Sequence, residues 1–299
     1  MLGVKSINIT HTLLQQISDI DEFKGLWTGV DKHTTGLKFL ADVTEHGAQL
    51  GRVLQPLQQK GLNPDIICIL NAMLLGQQGL SVLKNQTVPL PFSHGDKVYG
   101  VLDTAEPDQV KPLLDKLCDW VNESLKKEDV HPLLVAAVFN AIFLQIGPFA
   151  TGNLRTARFL TVFILLKAGY IYAPLVSLGP LFEKKMQRMY VALKHNQDSL
   201  EEGRPDWSEW LPFYLEVLQD QKEILRERLE SQKTELSELS DLAGKIMGLF
   251  KEHKRLQRKQ IIELTRGRRA TIKIRLQELL EGGYIKRHGA GRATWYSLV

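Results

Sequence analysis

Cysteine is nearly absent: Cys68 and Cys118 are the only two in 299 residues. That excludes a disulfide scaffold and any multi-cysteine zinc site, and two such thiols fit a reducing compartment. Long apolar runs are missing too. The longest, Leu133–Phe149, is broken by Asn140 and Gln145, and Phe159–Leu166 is shorter still. Neither reaches the roughly 18 residues that a membrane span demands. The N-terminus has no basic-then-apolar-then-small pattern, which excludes a signal peptide and predicts a cytoplasmic protein. No group of His, Asp and Glu has metal-ligand spacing, so no metal site is expected.

What is present is an ordinary globular balance, 43% hydrophobic and 24% charged. The length suggests about two domains. The net charge of +4 hides an asymmetry. Ser240–Val299 carries 14 Lys/Arg against 5 Asp/Glu, a net +9, and the remainder is −5. A small basic module on a mildly acidic body points to a polyanion partner, most often nucleic acid.

The body reads as mostly helical. Leu37–Leu57 has helical apolar spacing, and Pro64–Gln77 is a second apolar segment. Val82–Leu102 breaks the pattern with short β-branched runs around Ser93-His94-Gly95-Asp96, which predicts a β-hairpin turning at Gly95. Glu106-Pro107 is a helix start, since proline's missing N–H costs nothing in a first turn. His131-Pro132 opens a helix over Leu133–Ile146 that is apolar nearly all round and so belongs in the centre. A loop, Gly147–Asn153, separates it from a second mostly apolar helix, Leu154–Ala168. Amphipathic helices follow over Leu181–Leu193 and Trp207–Gln219, with a polar link at His195–Pro205. The leucines from Leu211 to Leu239 then form one narrow stripe, which packs on the body or makes a homodimer seam.

In the basic module, helices are predicted over Leu242–Phe250, Arg258–Leu264 and Arg268–Leu280, the last stopped by Gly282-Gly283. Tyr284–Arg287 and Arg292–Leu298 make a terminal hairpin. Three helices and a hairpin form a winged helix-turn-helix pattern. Its third helix carries Arg268, Arg269, Thr271, Lys273 and Arg275 on the exposed side, and Arg287 and Arg292 flank the hairpin tip. Cations so placed reach phosphates and guanine edges, so double-stranded DNA is the expected partner. The resulting division is 1–103 as a helical arm and hairpin, 104–239 as a helical core with a connecting helix, and 240–299 as the winged module.

His131–Tyr170 resembles Fic domains. The family's loop pattern is H-P-F-x-[DE]-G-N-G-R-x-x-R, and this chain reads Gly147-Pro148-Phe149-Ala150-Thr151-Gly152-Asn153-Leu154-Arg155-Thr156-Ala157-Arg158. The resemblance implies a helical bundle with a flap at 88–101 that docks a target protein. It also implies transfer of AMP from ATP onto protein hydroxyls, and a C-terminal winged helix as in a bacterial subgroup. The family's base histidine matches Gly147, which has no group to accept a proton. Its magnesium-holding acid matches Thr151, a poor anchor for a hard dication. Its second glycine matches Leu154. Gly152, Asn153, Arg155 and Arg158 survive as a candidate nucleotide or phosphate site.

His131 stands about 16 residues, so about 24 Å, from the base position and reads as a helix cap. His94 on the flap and His46 are the other histidines weighed for the role. The family's inhibitory pattern, [ST]-x-x-x-E-[GN], finds no glutamate in its best match, Gly47–Leu54, and Glu45 is the nearest acid. The expectation is a catalytically degenerate Fic-like, DNA-binding regulator, with ATP or another nucleotide as the candidate ligand of the remnant loop. Two alternatives stay open: a nucleotidyl or phosphoryl transferase with an altered motif, and a non-enzymatic protein-binding partner.

Overall fold

A computed structural model describes residues 7–28, 61–238 and 241–299. The expected helix at 37–57 and the histidine and glutamate at 45–46 lie outside the described residues, as does the best inhibitory match at 47–54. Two compact units divide the chain, Met1–Gly25 with Leu50–Lys222 and Leu26–Gln49 with Glu223–Val299.

In the first unit, α1 (His11–Thr28), which belongs to it up to Gly25, is followed by α2 (Pro64–Leu74), whose N-cap Asn63 accepts from the Ile66 N–H. A two-stranded antiparallel hairpin comes next, β1 (Leu90–His94) and β2 (Lys97–Leu102), turning at Gly95 as expected. Gly100 lets the hairpin press onto Tyr190, since a Cβ there would overlap that ring. Then come α3 (Pro107–Lys127), α4 (Pro132–Ile146) and α5 (Asn153–Lys167).

The apolar run that composes α4 puts 13 of its 15 residues out of solvent, and α3 and α5 pack against it. Few polar groups enter this centre, and most are paired. Trp210 Nε1 donates to the Ala137 carbonyl at 2.7 Å. The Thr161 hydroxyl accepts from Asn140 at 3.1 Å and from Tyr214 at 2.8 Å. These bonds tie α4 and α5 to α8 (Trp210–Glu238) and fix one packing where apolar contact alone would tolerate several. Along α8, Leu211, Leu215, Leu218, Leu225 and Leu229 are all buried within the single chain.

Helix boundaries here differ from expectation at two places. The single helix expected over Leu181–Leu193 is two, α6 (Leu178–Lys184) and α7 (Met186–Glu201). They separate at Lys185, whose ammonium reaches Glu216 at 2.5 Å and Asp220 at 2.7 Å on α8. The polar link expected from His195 is helical to Glu201. Its polar residues serve the interior instead: the Asn196 amide donates to the Asp206 carbonyl and accepts from Gln145, and Gln197 donates to the Asp103 carbonyl. Polarity there marks buried hydrogen bonds, not a loop.

In the second unit, α9 (Asp241–Glu252), β3 (Leu256–Gln257), α10 (Arg258–Thr265), α11 (Arg269–Glu281), β4 (Ile285–His288) and β5 (Trp295–Leu298) follow in order. The strands form an antiparallel sheet ordered β3-β5-β4. Ile246, Phe250, Ile261, Ile272, Leu276 and Tyr296 belong to one buried cluster. Gly283, at φ +70, takes the left-handed turn that ends α11, and the Tyr284 N–H returns to the Leu279 carbonyl. The strand expected from Arg292 begins only at Trp295, because Gly291–Ala293 is a 3-10 turn. The two-residue β3 gave no periodic signal to read.

Candidate functional site

The loop between α4 and α5 is held from three sides. Gly147 ends α4 at φ +51, and its N–H caps the Phe143 carbonyl. Against it lies Thr104, just beyond β2. A Cβ on Gly147 would stand 2.5 Å from Thr104 Cγ2 and 2.9 Å from its Cβ. Thr104 is β-branched and buried, and its hydroxyl is committed twice. It donates to the Val88 carbonyl at 2.8 Å and accepts from Lys84 Nζ at 2.5 Å. Lys84 Nζ also donates to the Ile146 carbonyl at 3.3 Å, and the Lys84 N–H donates to the Pro148 carbonyl at 2.9 Å.

Gly147, expected to match the family's base, is therefore not merely without a side chain. Thr104 fills the space from behind, and a lysine locks Thr104 to the helix end. Burial pushes the Lys84 ammonium below the usual lysine range, with Glu106 opposing. Two of its donors are spent on Thr104 and on a carbonyl at the C-terminus of α4, where a cation is favoured. This is the arrangement of a structural cap.

Asn71 of α2 braces the far side of the loop. Its amide donates to Thr156 Oγ1 at 2.9 Å and to the Thr151 carbonyl at 3.4 Å, and it accepts from Ser81 at 2.6 Å. Gly152, at φ +85, lets Asn71 approach, since a Cβ there would sit 2.9 Å from Nδ2.

The surviving motif side chains each have a protein partner. Asn153 is buried and grips Phe149 twice, accepting from its N–H at 3.1 Å and donating to its carbonyl at 2.7 Å. Arg155 is exposed and donates to the Leu74 carbonyl at 2.8 Å, at the C-terminus of α2. Arg158 is mostly buried, bonds the Leu154 carbonyl and pairs with Glu183 of α6 at 3.1 Å. Thr151 is exposed and Leu154 half-buried. His131 caps α4 and bonds Asp21 at 3.0 Å, and His94 lies exposed at the hairpin end. No group of three or more His, Cys, Asp or Glu could hold a metal among the described residues.

A separate concavity of about 580 Å³ lies wholly within the second unit. Arg258, Lys259, Arg269, Lys273 and Arg287 line it, over a floor that includes Ile262 and Tyr296. None of its described lining residues is acidic. It gathers three of the expected DNA-contacting cations, Arg269 and Lys273 from α11 and Arg287 from β4. Sequence reading missed Arg258 and Lys259, whose only signal was their place at the start of a short helix. Arg268 is the exposed N-cap of α11. Thr271 is half-buried, and Arg275 turns onto Glu278 at 2.6 Å. Arg292 lies in the 3-10 turn, and its side chain is outside the described residues.

The central helix pair, its loop and the adjoining hairpin define a known domain class. Residues 61–165 match the Fic/DOC family. The fold is similar to a Fic family protein from Desulfovibrio desulfuricans G20. That likeness has a TM-score of 0.55 at 15% identity, covering 98% of this chain and 97% of that one. It is also similar to Fic-1 from C. elegans, with a TM-score of 0.53 at 15% identity over 75% of this chain and 73% of that one. Likeness at this identity establishes the fold alone. Among the described residues, no helix is long and apolar enough to cross a membrane.

Proposed function

We propose that this chain is a catalytically degenerate Fic-family protein that acts as a DNA-binding regulator through a C-terminal winged helix-turn-helix. The basic concavity carries the reading. Five cations from α10, α11 and β4 face one space with no acid among its described lining. Such a surface attracts a polyanion and releases its counterions on binding. The helix order and β3-β5-β4 sheet support this reading, in which Arg287 sits on the wing and α11 is the recognition helix.

The degenerate part rests on Gly147. General-base assistance is typically worth about 10²–10⁴-fold in rate, and the reading is supported by Thr104, whose Cγ2 would stand 2.5 Å from any Cβ at Gly147. Asn153, Arg155 and Arg158 brace the loop. A nucleotide entering it displaces Arg155 from Leu74 and Arg158 from Glu183.

The test uses the full chain. Fluorescence anisotropy on random-sequence duplex DNA at low salt should show binding, and Arg269→Gln with Lys273→Gln should weaken it for every sequence alike. In parallel, labelled ATP with magnesium and a cell lysate should give no label transfer. Absence of duplex binding overturns the regulator reading, and label transfer overturns the degenerate one. A second reading, a protein partner docked along the hairpin, draws on Val98 and Val101, both exposed on β2.

A further inference from the structure

The cations of α11 do not occupy its outermost face. At 3.6 residues per turn, Ile272, Leu276 and Leu279 define the buried side. Arg269 and Lys273 lie to one flank, toward the concavity. Arg275 lies to the other flank and is paired with Glu278. Directly opposite the core stand Ala270 and Ile274, one turn apart, with Gln277 beside them. Ile274 is 56% exposed at mid-helix. Glu281, two turns past Ile274 on the same face, accepts from Gln277 at 2.9 Å, so the apolar pair holds the N-terminal half of the face and an acid its C-terminal end.

A half-exposed isoleucine beside a row of cations is a poor solvent surface and a good contact for a ligand that is anionic at its edges and apolar between them. Duplex DNA has that form. Phosphates line the rims of the major groove, and thymine is the one base that places a methyl group in its floor. The charge of the adjacent flank selects nucleic acid over an apolar protein surface, because Arg269 and Lys273 would otherwise lose solvation unpaired.

We infer that α11 divides its labour. Its basic flank grips the sugar-phosphate backbone within the concavity, and Ala270 and Ile274 read thymine methyl groups, so that this chain prefers sites with thymine at the steps facing Ile274. The inference rests on the DNA-binding reading above and adds to it the base recognised and the residues that recognise it.

The experiment selects duplexes from a random pool with the full chain. Selected duplexes are then compared with versions carrying uracil for thymine, which differ only by the methyl. Each methyl buried against Ile274 should be worth roughly 4-fold in affinity. Ile274→Ser, a change at an exposed site, should shrink the thymine-over-uracil preference to the part Ala270 supplies while keeping the salt dependence of the natural protein. Arg269→Gln should weaken both duplexes alike and keep their ratio.

Duplex binding indifferent to the methyl overturns this inference and leaves the DNA-binding reading standing. No duplex binding at all overturns both. A change in sedimentation mass for Ile274→Ser, with the thymine preference intact, assigns the face to a second copy of the chain and overturns the inference.

Discussion

Gly147→Ala places one methyl group where the packing of Thr104 leaves no room. Two costs add. A non-glycine residue held near φ +51 costs about 1–2 kcal/mol. The new Cβ, 2.5 Å from Thr104 Cγ2, forces an overpacking cost of about 1–3 kcal/mol. Thr104 cannot rotate away cheaply, because its hydroxyl is held by Val88 and Lys84. Gly147→Ala should therefore destabilise the protein by about 2–5 kcal/mol. Thr104→Ser removes Cγ2 and keeps both hydrogen bonds, so in that background the same change should cost about 1–2 kcal/mol less. Urea unfolding of the natural protein, both single variants and the double variant closes the cycle. Alanine tolerated within about 0.5 kcal/mol, or strict additivity of the two changes, would refute the claim that Thr104 fills this position. A restoring triple variant, Gly147→His with Thr151→Asp and Leu154→Gly, should then need Thr104→Ser before it folds and transfers label.

Asn153→Ala should cost about 2–4 kcal/mol by thermal or chemical unfolding, because it strands the buried Phe149 N–H and carbonyl together. Against the desolvation of burial, hydrogen bonds from His131 and Tyr170 hold the Asp21 carboxyl below its ordinary range. Its contribution is present above the ordinary carboxylate pKa and is lost as pH falls through the lowered folded value. Asp21→Asn should thus narrow the stability gap to the natural protein as the pH drops, by about 1 kcal/mol at most given its partial exposure. ATP should shift the melting temperature little. A shift that disappears in Arg155→Ala would restore the loop as a nucleotide site.

The elements with strong local patterns were legible in the sequence. The apolar run of α4 could only be central, Gly95 between β-branched runs could only turn a hairpin, and Gly282-Gly283 had to end α11. What could not be read was packing between residues far apart in the chain. Thr104 and Lys84 reach Gly147 over 40 residues or more, and a lone lysine in a loop sends no local signal. Asn71, polar within an apolar run, offered the one hint of a buried brace. In the basic module, a count of cations placed Arg275 beside Lys273, whereas the structure pairs it with Glu278 and turns Ile274 outward.

The most direct measurement of the central claim is the affinity of the full chain for a random-sequence duplex as salt is raised. Binding should appear at low salt, and the logarithm of its constant should fall steeply and linearly with log salt. Arg269→Gln and Lys273→Gln should each make that slope shallower, by about 0.9 for every phosphate left without its cation. No binding at low salt, or a slope those substitutions leave unchanged, would contradict it.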